Sequence, residues 1–174
     1  MGRRTGSPWR WTWPIAWWAS AAGAYGLDGL TLTMWIELRG EGGTVLASAE
    51  PRSAVVGEGP EFGFDHRDDQ NGYRAVPTAV DVAGRRLTIL YGPEREASGA
   101  ERLGTFNGFV LTFAGAECAV FTGGALDTEA TTILLPPDRV RVGADRVEID
   151  VDGVPRGPGD RIEVVLSLGN CLIG

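Results

Sequence analysis

From Ser53 onward the hydrophobic residues of this chain recur with a period of two. In AVDVAGRRLTILYG, Val80 and Val82 share one face of a strand. Leu87, Ile89 and Tyr91 share one face of the next, with Ala83-Gly84 placed as the hairpin turn. RVRVGADRVEIDVDG repeats the design: Val140 and Val142 lead into Gly143-Ala144-Asp145, and Val147, Ile149 and Val151 return. Their neighbours Arg146, Glu148 and Asp150 are expected to face water. Ile162, Val164, Leu166 and Leu168 alternate in a last strand, and TFNGFVLTF (105–113), CAVF (118–121) and TTILL (131–135) supply strands between. No stretch carries a 3.6-residue period, and PEREASGAERLG (93–104) reads as an exposed loop. One apolar face per strand implies sheets with one buried side and antiparallel pairing. The pattern predicts an all-β fold, an antiparallel β-sandwich or jelly roll of about eight or nine strands.

The N-terminal part looks different. All six tryptophans (Trp9, Trp11, Trp13, Trp17, Trp18 and Trp35) fall within the first 35 residues. Three readings stand side by side. In the first, Arg3, Arg4 and Arg10 precede the apolar WTWPIAWWASAAGA, with Ala22 and Ala24 placed for signal-peptide cleavage after Ala24. In the second, the segment is an interfacial anchor. It is too short to span a bilayer, which takes ~20 apolar residues, and Pro14 interrupts it. In the third, translation begins later, near Met34. Under each, residues 1 to about 50 are expected outside the core, with GEGG (40–43) and ASAEPRS (47–53) as linker. The expected organisation is 1–24 signal or upstream segment, 25–52 linker, and 53–174 β-sandwich.

Composition narrows the function classes. The 26 glycines and 10 prolines suit short strands and tight turns. All 16 basic residues are arginine, read here as a bias toward GC-rich codons. The net charge is −7, and an acidic surface repels phosphate backbones, so nucleic acid is not an expected partner. There is no CxxC and no cysteine–histidine cluster for zinc. Cys118 and Cys171 are candidates for one disulfide in an oxidising compartment.

The segments SAVVGEGPEF (53–62), YRAVPTAVDVAGRRLTI, TFNGFVLTF and TTILLPPDRVRVGADRVEIDVDGVPRGPGDRIEVVLSL are together similar to a β-rich module of secreted bacterial proteins, mostly uncharacterised, that often carry a PEP-CTERM sorting tail. The resemblance covers about 115 residues. Val55, Val56, Gly59, Glu61 and Phe62 match its V-V-x-x-G-x-E-F opening, apart from one extra residue between Gly59 and Glu61. Phe106, Gly108 and Phe109 match its F-x-G-F strand, and Gly153-Val154 its closing turn. The sequence ends LSLGNCLIG without the sorting tail, so covalent sorting is not expected. The resemblance implies export and a β-sandwich, and transfers no catalytic residue.

FDHRDDQNGY holds the one histidine, His66. Asp65, Asp68, Asp69 and Asn71 are the candidate Ca²⁺ ligands, because Ca²⁺ prefers clustered carboxylate and carbonyl oxygens. The competing reading is a solvated hairpin loop with Asn71-Gly72 as its turn. Asp150, Asp152 and Gly153 form a second acidic step, read as a turn at a strand end. His66 and Asp65 are adjacent, so on a strand they would face opposite ways and form no dyad. Ser98 lies outside any nucleophile elbow. Tyr73 and Tyr91 are the only aromatic platforms for a sugar outside the N-terminal part, and the six phenylalanines are assigned to the core. No catalytic residue is identified, and no cofactor is expected beyond that Ca²⁺ site. The expected function is a secreted, non-catalytic β-sandwich with a structural, adhesive or matrix role, its partner an extracellular protein or polysaccharide. The alternatives are a Ca²⁺-dependent carbohydrate-binding module, and a hydrolase on a jelly-roll scaffold using His66.

Overall fold

The segment TLTMWIELR alternates as strictly as any in the chain, and it forms strand β1 (Thr31–Arg39) in a computed structural model that describes residues 26–64, 77–92, 101–115 and 121–169. Leu32, Met34 and Ile36 point into the core, while Trp35 and Arg39 lie on the other face with Glu37 between them. Strand β1 pairs along its whole length with β6 (Phe106–Ala114), from Thr31 opposite Ala114 to Arg39 opposite Phe106. It is therefore an interior strand. The assignment of residues 25–52 to a linker is corrected by this finding, since Leu27, Leu30 and Leu32 are all buried. A start at Met34 would delete these three leucines and the first three residues of β1. The tryptophan-rich composition marked a boundary that the period-two pattern of residues 31–39 overrides.

The outer side of β1 is edged by two short strands laid end to end, β2 (Val45–Ser48) and β3 (Arg52–Val55). Three steps along β1, from Met34 to Glu37, match four along the edge, from Arg52 back to Ser48. The extra residue makes a bulge around Glu50-Pro51, and a proline without an N–H belongs at such a place.

The larger sheet runs β2-β1-β6-β9-β8, with β3 beside β1, where β8 is Val140–Val142 and β9 is Arg146–Asp150. The smaller sheet runs β4-β5-β10-β7, from β4 (Thr78–Ala83), β5 (Arg86–Tyr91), β7 (Phe121–Leu126) and β10 (Arg161–Leu168). Every pairing is antiparallel. The two sheets pack as a β-sandwich. Leu32, Ile36, Leu111, Phe113, Val147 and Ile149 from one sheet meet Val80, Val82, Leu87, Ile89, Ile162, Val164 and Leu166 from the other in one hydrophobic core.

Two further segments bear on the sequence reading. TTILL forms no strand, contrary to expectation. The hydroxyls of Thr131 and Thr132 accept from the backbone N–H of Glu163 and Arg161, at 3.0 and 2.8 Å, where a neighbouring strand would offer carbonyls. A Leu135 N–H bond to the Ile133 carbonyl then buries Ile133 and Leu135 and leaves Leu134 92% exposed, just before Pro136 and a 3₁₀ turn at Pro137–Arg139. The second segment is 56–62. Val56 donates to the Leu30 carbonyl, and the Glu61 carboxylate accepts from the Gly57 and Val82 N–H groups at 3.1 and 2.8 Å. Phe62 and Val80 exchange two backbone hydrogen bonds, covering the free edge of β4.

Leu32→Ala should lower unfolding stability by about 2–5 kcal/mol, the usual cost of emptying a fully buried leucine site. Urea denaturation followed by circular dichroism measures this, and an unchanged midpoint would mean that β1 lies outside the cooperative core.

Candidate functional site on the outer face of the larger sheet

Residues two apart on a strand share a face, and strands β1, β6 and β9 lie side by side with fixed partners. On the outer face, Trp35 sits opposite Val110, which sits opposite Glu148, which sits opposite Arg141. One step along, Glu37 sits opposite Gly108, which sits opposite Asp150. Strand β6 thus contributes only Gly108 and Val110 to the middle of this face. With so little side chain in the way, Arg39 reaches across β6 from β1 to β9, and its Nη2 donates to Glu148 Oε1 at 2.8 Å. Its Nε donates to Glu37, and its guanidinium lies 4.4 Å from the centre of the Phe106 ring.

Glu148 is the hub. Its Oε1 also accepts from Arg146 Nε at 2.9 Å and Nη2 at 2.7 Å, while Arg146 stacks over Trp35 at 5.4 Å. Arg141 approaches from the far side, 4.0 Å from Oε2. Trp35 donates its indole N–H to Glu37 at 2.7 Å. Asp150 takes Arg139 on one oxygen and the N–H groups of Asn107 and Asp152 on the other. Asp152 accepts from Leu103 and Gly104, pinning the segment that leads into β6. The acidic step at 150–153 is therefore a turn, as expected, with both carboxylates holding backbone.

The expectation that Arg146, Glu148 and Asp150 face water needs correction. They lie on the outer face, but Asp150 is buried and the Glu148 side chain is only 15% exposed, because arginines cover them. The same design recurs on the smaller sheet, where Glu163 is buried under Arg86, which also holds Asp127, and lies 3.4 Å from Arg161. A repeated signal was present in the sequence: Glu37-x-Arg39, Arg146-x-Glu148 and Arg161-x-Glu163 each put opposite charges on one face of a strand.

Electrostatics follow from this geometry. Burial works to raise the Glu37 carboxyl, but hydrogen bonds from Trp35 and Arg39 outweigh it and hold the group below its ordinary 4.5. Burial also works to raise Glu148, and is outweighed by Arg39 and Arg146. The hydrogen bond from Arg86 lowers Asp127. These carboxylates stay ionised near neutrality and cannot serve as general acids there. Glu61 is raised by burial, yet both its oxygens accept backbone N–H groups. Buried Tyr91 is pushed upward by desolvation, and Arg156 stacks 5.6 Å from its ring centre, so it offers no exposed platform to a sugar.

An open cavity of about 320 Å³ adjoins this lattice, lined by Arg141, Val142, Gly143, Arg146 and Glu148. Asp65, His66, Asp68, Asp69, Asn71, Tyr73, Ser98, Cys118 and Cys171 lie outside the described residues, as do residues 1–24. Among the described residues, no three of His, Cys, Asp and Glu are grouped to hold a metal ion, and no helix is long and apolar enough to cross a membrane. Comparison with known proteins finds no matching family model, curated protein or solved structure.

Two outcomes are expected of this face. A Cβ at Gly108 would lie 1.8 Å from the Ile149 carbonyl oxygen, so Gly108→Ala should destabilise the fold by roughly 1–3 kcal/mol or more, read as a lowered urea midpoint. Acid should also weaken the fold. The stability contributed by Glu37, Asp127 and Glu148 is full above their unfolded values of 4.5, 3.8 and 4.5, and is lost as pH falls through the lower folded values. Glu61, raised in the fold, has the opposite sign and offsets part of the loss. Urea midpoints between about pH 5 and pH 3 should fall, and fall less in Glu148→Gln.

Proposed function

We propose that this chain is a non-catalytic β-sandwich module that acts outside the cytoplasm as a structural or adhesive element, in contact with extracellular polysaccharide or protein. The observation that carries the reading is how its buried acids are used. Glu37, Asp150, Asp152 and Glu163 are each committed to an arginine, an indole or backbone N–H groups. Catalytic carboxylates are poised by environments that raise or split their affinities for the proton. Glu37 is held below its ordinary value by hydrogen bonds from Trp35 and Arg39, and Asp150 and Glu163 each spend at least one oxygen on an arginine, which suits a rigid surface and not proton transfer. The export half of the reading rests on the arginines and apolar run of residues 1–24 and on the resemblance to secreted modules.

The test is retention. Purified protein incubated with a panel of insoluble polysaccharides, and with matrix from the producing cells, should sediment with at least one of them and release no soluble sugar. Failure to sediment with any would overturn the adhesive role. Release of sugar that disappears in His66→Ala would replace it with the hydrolase reading.

A further inference from the structure

We infer that the cavity at the β8–β9 turn is a binding subsite for a single sugar carboxylate, a uronate unit within an otherwise neutral saccharide, with Arg141 as the guanidinium that meets it. The inference rests on the matrix-binding reading above and names the chemistry of its ligand.

Three guanidiniums, those of Arg39, Arg141 and Arg146, converge on the one carboxylate of Glu148. They are not equally engaged. Arg39 and Arg146 supply all three short hydrogen bonds, and all three go to Oε1. Arg141 stands 4.0 Å from Oε2 with its side chain 62% exposed, and among the described residues it donates no hydrogen bond. The cavity therefore presents unspent guanidinium donors beside a carboxylate oxygen, Glu148 Oε2, that accepts none among the described residues. A guanidinium fork matches a carboxylate in shape and charge. A free acceptor next to it matches a hydroxyl donor. Val142 adds an apolar wall and Gly143 removes a side chain from the rim, which leaves room for the CH face of a ring. A volume near 320 Å³ lies at the small end of ligand pockets, which run from ~300 to ~1,000 Å³.

Charge sets the limit on the ligand. Among the residues that line the cavity, Arg141 and Arg146 stand against Glu148, a surplus of one positive charge within a chain of net −7. One carboxylate balances that surplus. A dense polyanion would meet the repulsion of the whole molecule. The fit is to an isolated acidic sugar, with phosphate-rich chains excluded.

The experiment is a ¹H–¹⁵N NMR titration of the full chain with methyl glucuronide, using methyl glucoside as the neutral control and acetate as the bare carboxylate. The expected result is saturable shifts at the Val142 and Gly143 amides with the glucuronide, none with the glucoside, and weaker binding of acetate at the same place. Arg141→Ala should weaken glucuronide binding about tenfold or more, the loss expected for a charge-assisted pair, while urea midpoints stay unchanged because Arg141 is exposed. Arg141→Glu should abolish it. No saturable shift at these amides, or shifts that survive Arg141→Ala, would overturn the site. Acetate binding as tightly as the glucuronide would overturn the sugar assignment. Retention on polysaccharide without glucuronide binding would overturn this inference and leave the adhesive role standing, whereas glucuronide binding without retention would do the reverse.

Discussion

Strand β6 has to be covered on both faces. It lies between β1 and β9, its inward residues Phe109, Leu111 and Phe113 belong to the core, and its outward residues Phe106, Gly108 and Val110 are buried as well. Sheets buried on both sides usually carry helices on their faces. Here, among the described residues, long side chains from the flanking strands lie across β6 instead. Arg39 lies over Phe106, and the guanidinium–carboxylate lattice built on Glu148 closes around Val110, the cross-strand partner of both Glu148 and Trp35. That lid works because β6 presents a glycine where Arg39 must cross.

Magnitudes decide what the lid contributes. An exposed ion pair is worth about 0–1 kcal/mol. Taking a side chain such as phenylalanine or valine out of water is worth about 1.5–3 kcal/mol. The larger effect of these arginines is therefore the apolar surface that their stems and planes shield, with the carboxylates fixing where each guanidinium lies. Glu148 and Glu163 play the same part on opposite sides of the sandwich: Glu148 is gripped by Arg146 of its own strand and by Arg39 from two strands away, and Glu163 by Arg161 of its own strand and Arg86 of the neighbouring β5. The lattice also links distant parts of the chain, since Arg39 and Glu148 are 109 positions apart.

Much of this fold was legible in period-two patterning. Val80 and Val82, Leu87 to Tyr91, Val147 and Ile149, and Ile162 to Leu166 lie inward as the alternation required. Strand β1 carried the same signal in Leu32, Met34 and Ile36, and was lost because its tryptophan suggested kinship with the segment before it. TTILL erred the other way. Its threonine hydroxyls replace the carbonyls of a ladder, a substitution that side-chain chemistry permits and hydropathy does not reveal. The charged face was half legible. The i, i+2 pairs could be read along each strand, but which strands stand together is a property of register, and only register brings Arg39 and Arg141 to the carboxylate that Arg146 already shares a strand face with.

The absence of lysine then acquires a structural consequence, whatever its origin in codon usage. Arg39 serves Glu37 through Nε and Glu148 through Nη2 while its plane lies against Phe106. Arg146 grips Glu148 through two nitrogens while lying over Trp35. A lysine ammonium is a compact, strongly hydrated charge at the end of a flexible stem. It cannot lie flat on a ring and bond two carboxylates in different directions. The flat, forked cation is what allows a charged layer to seal an apolar strand. The same fork, left partly unspent at Arg141, gives that layer its capacity to hold an outside carboxylate.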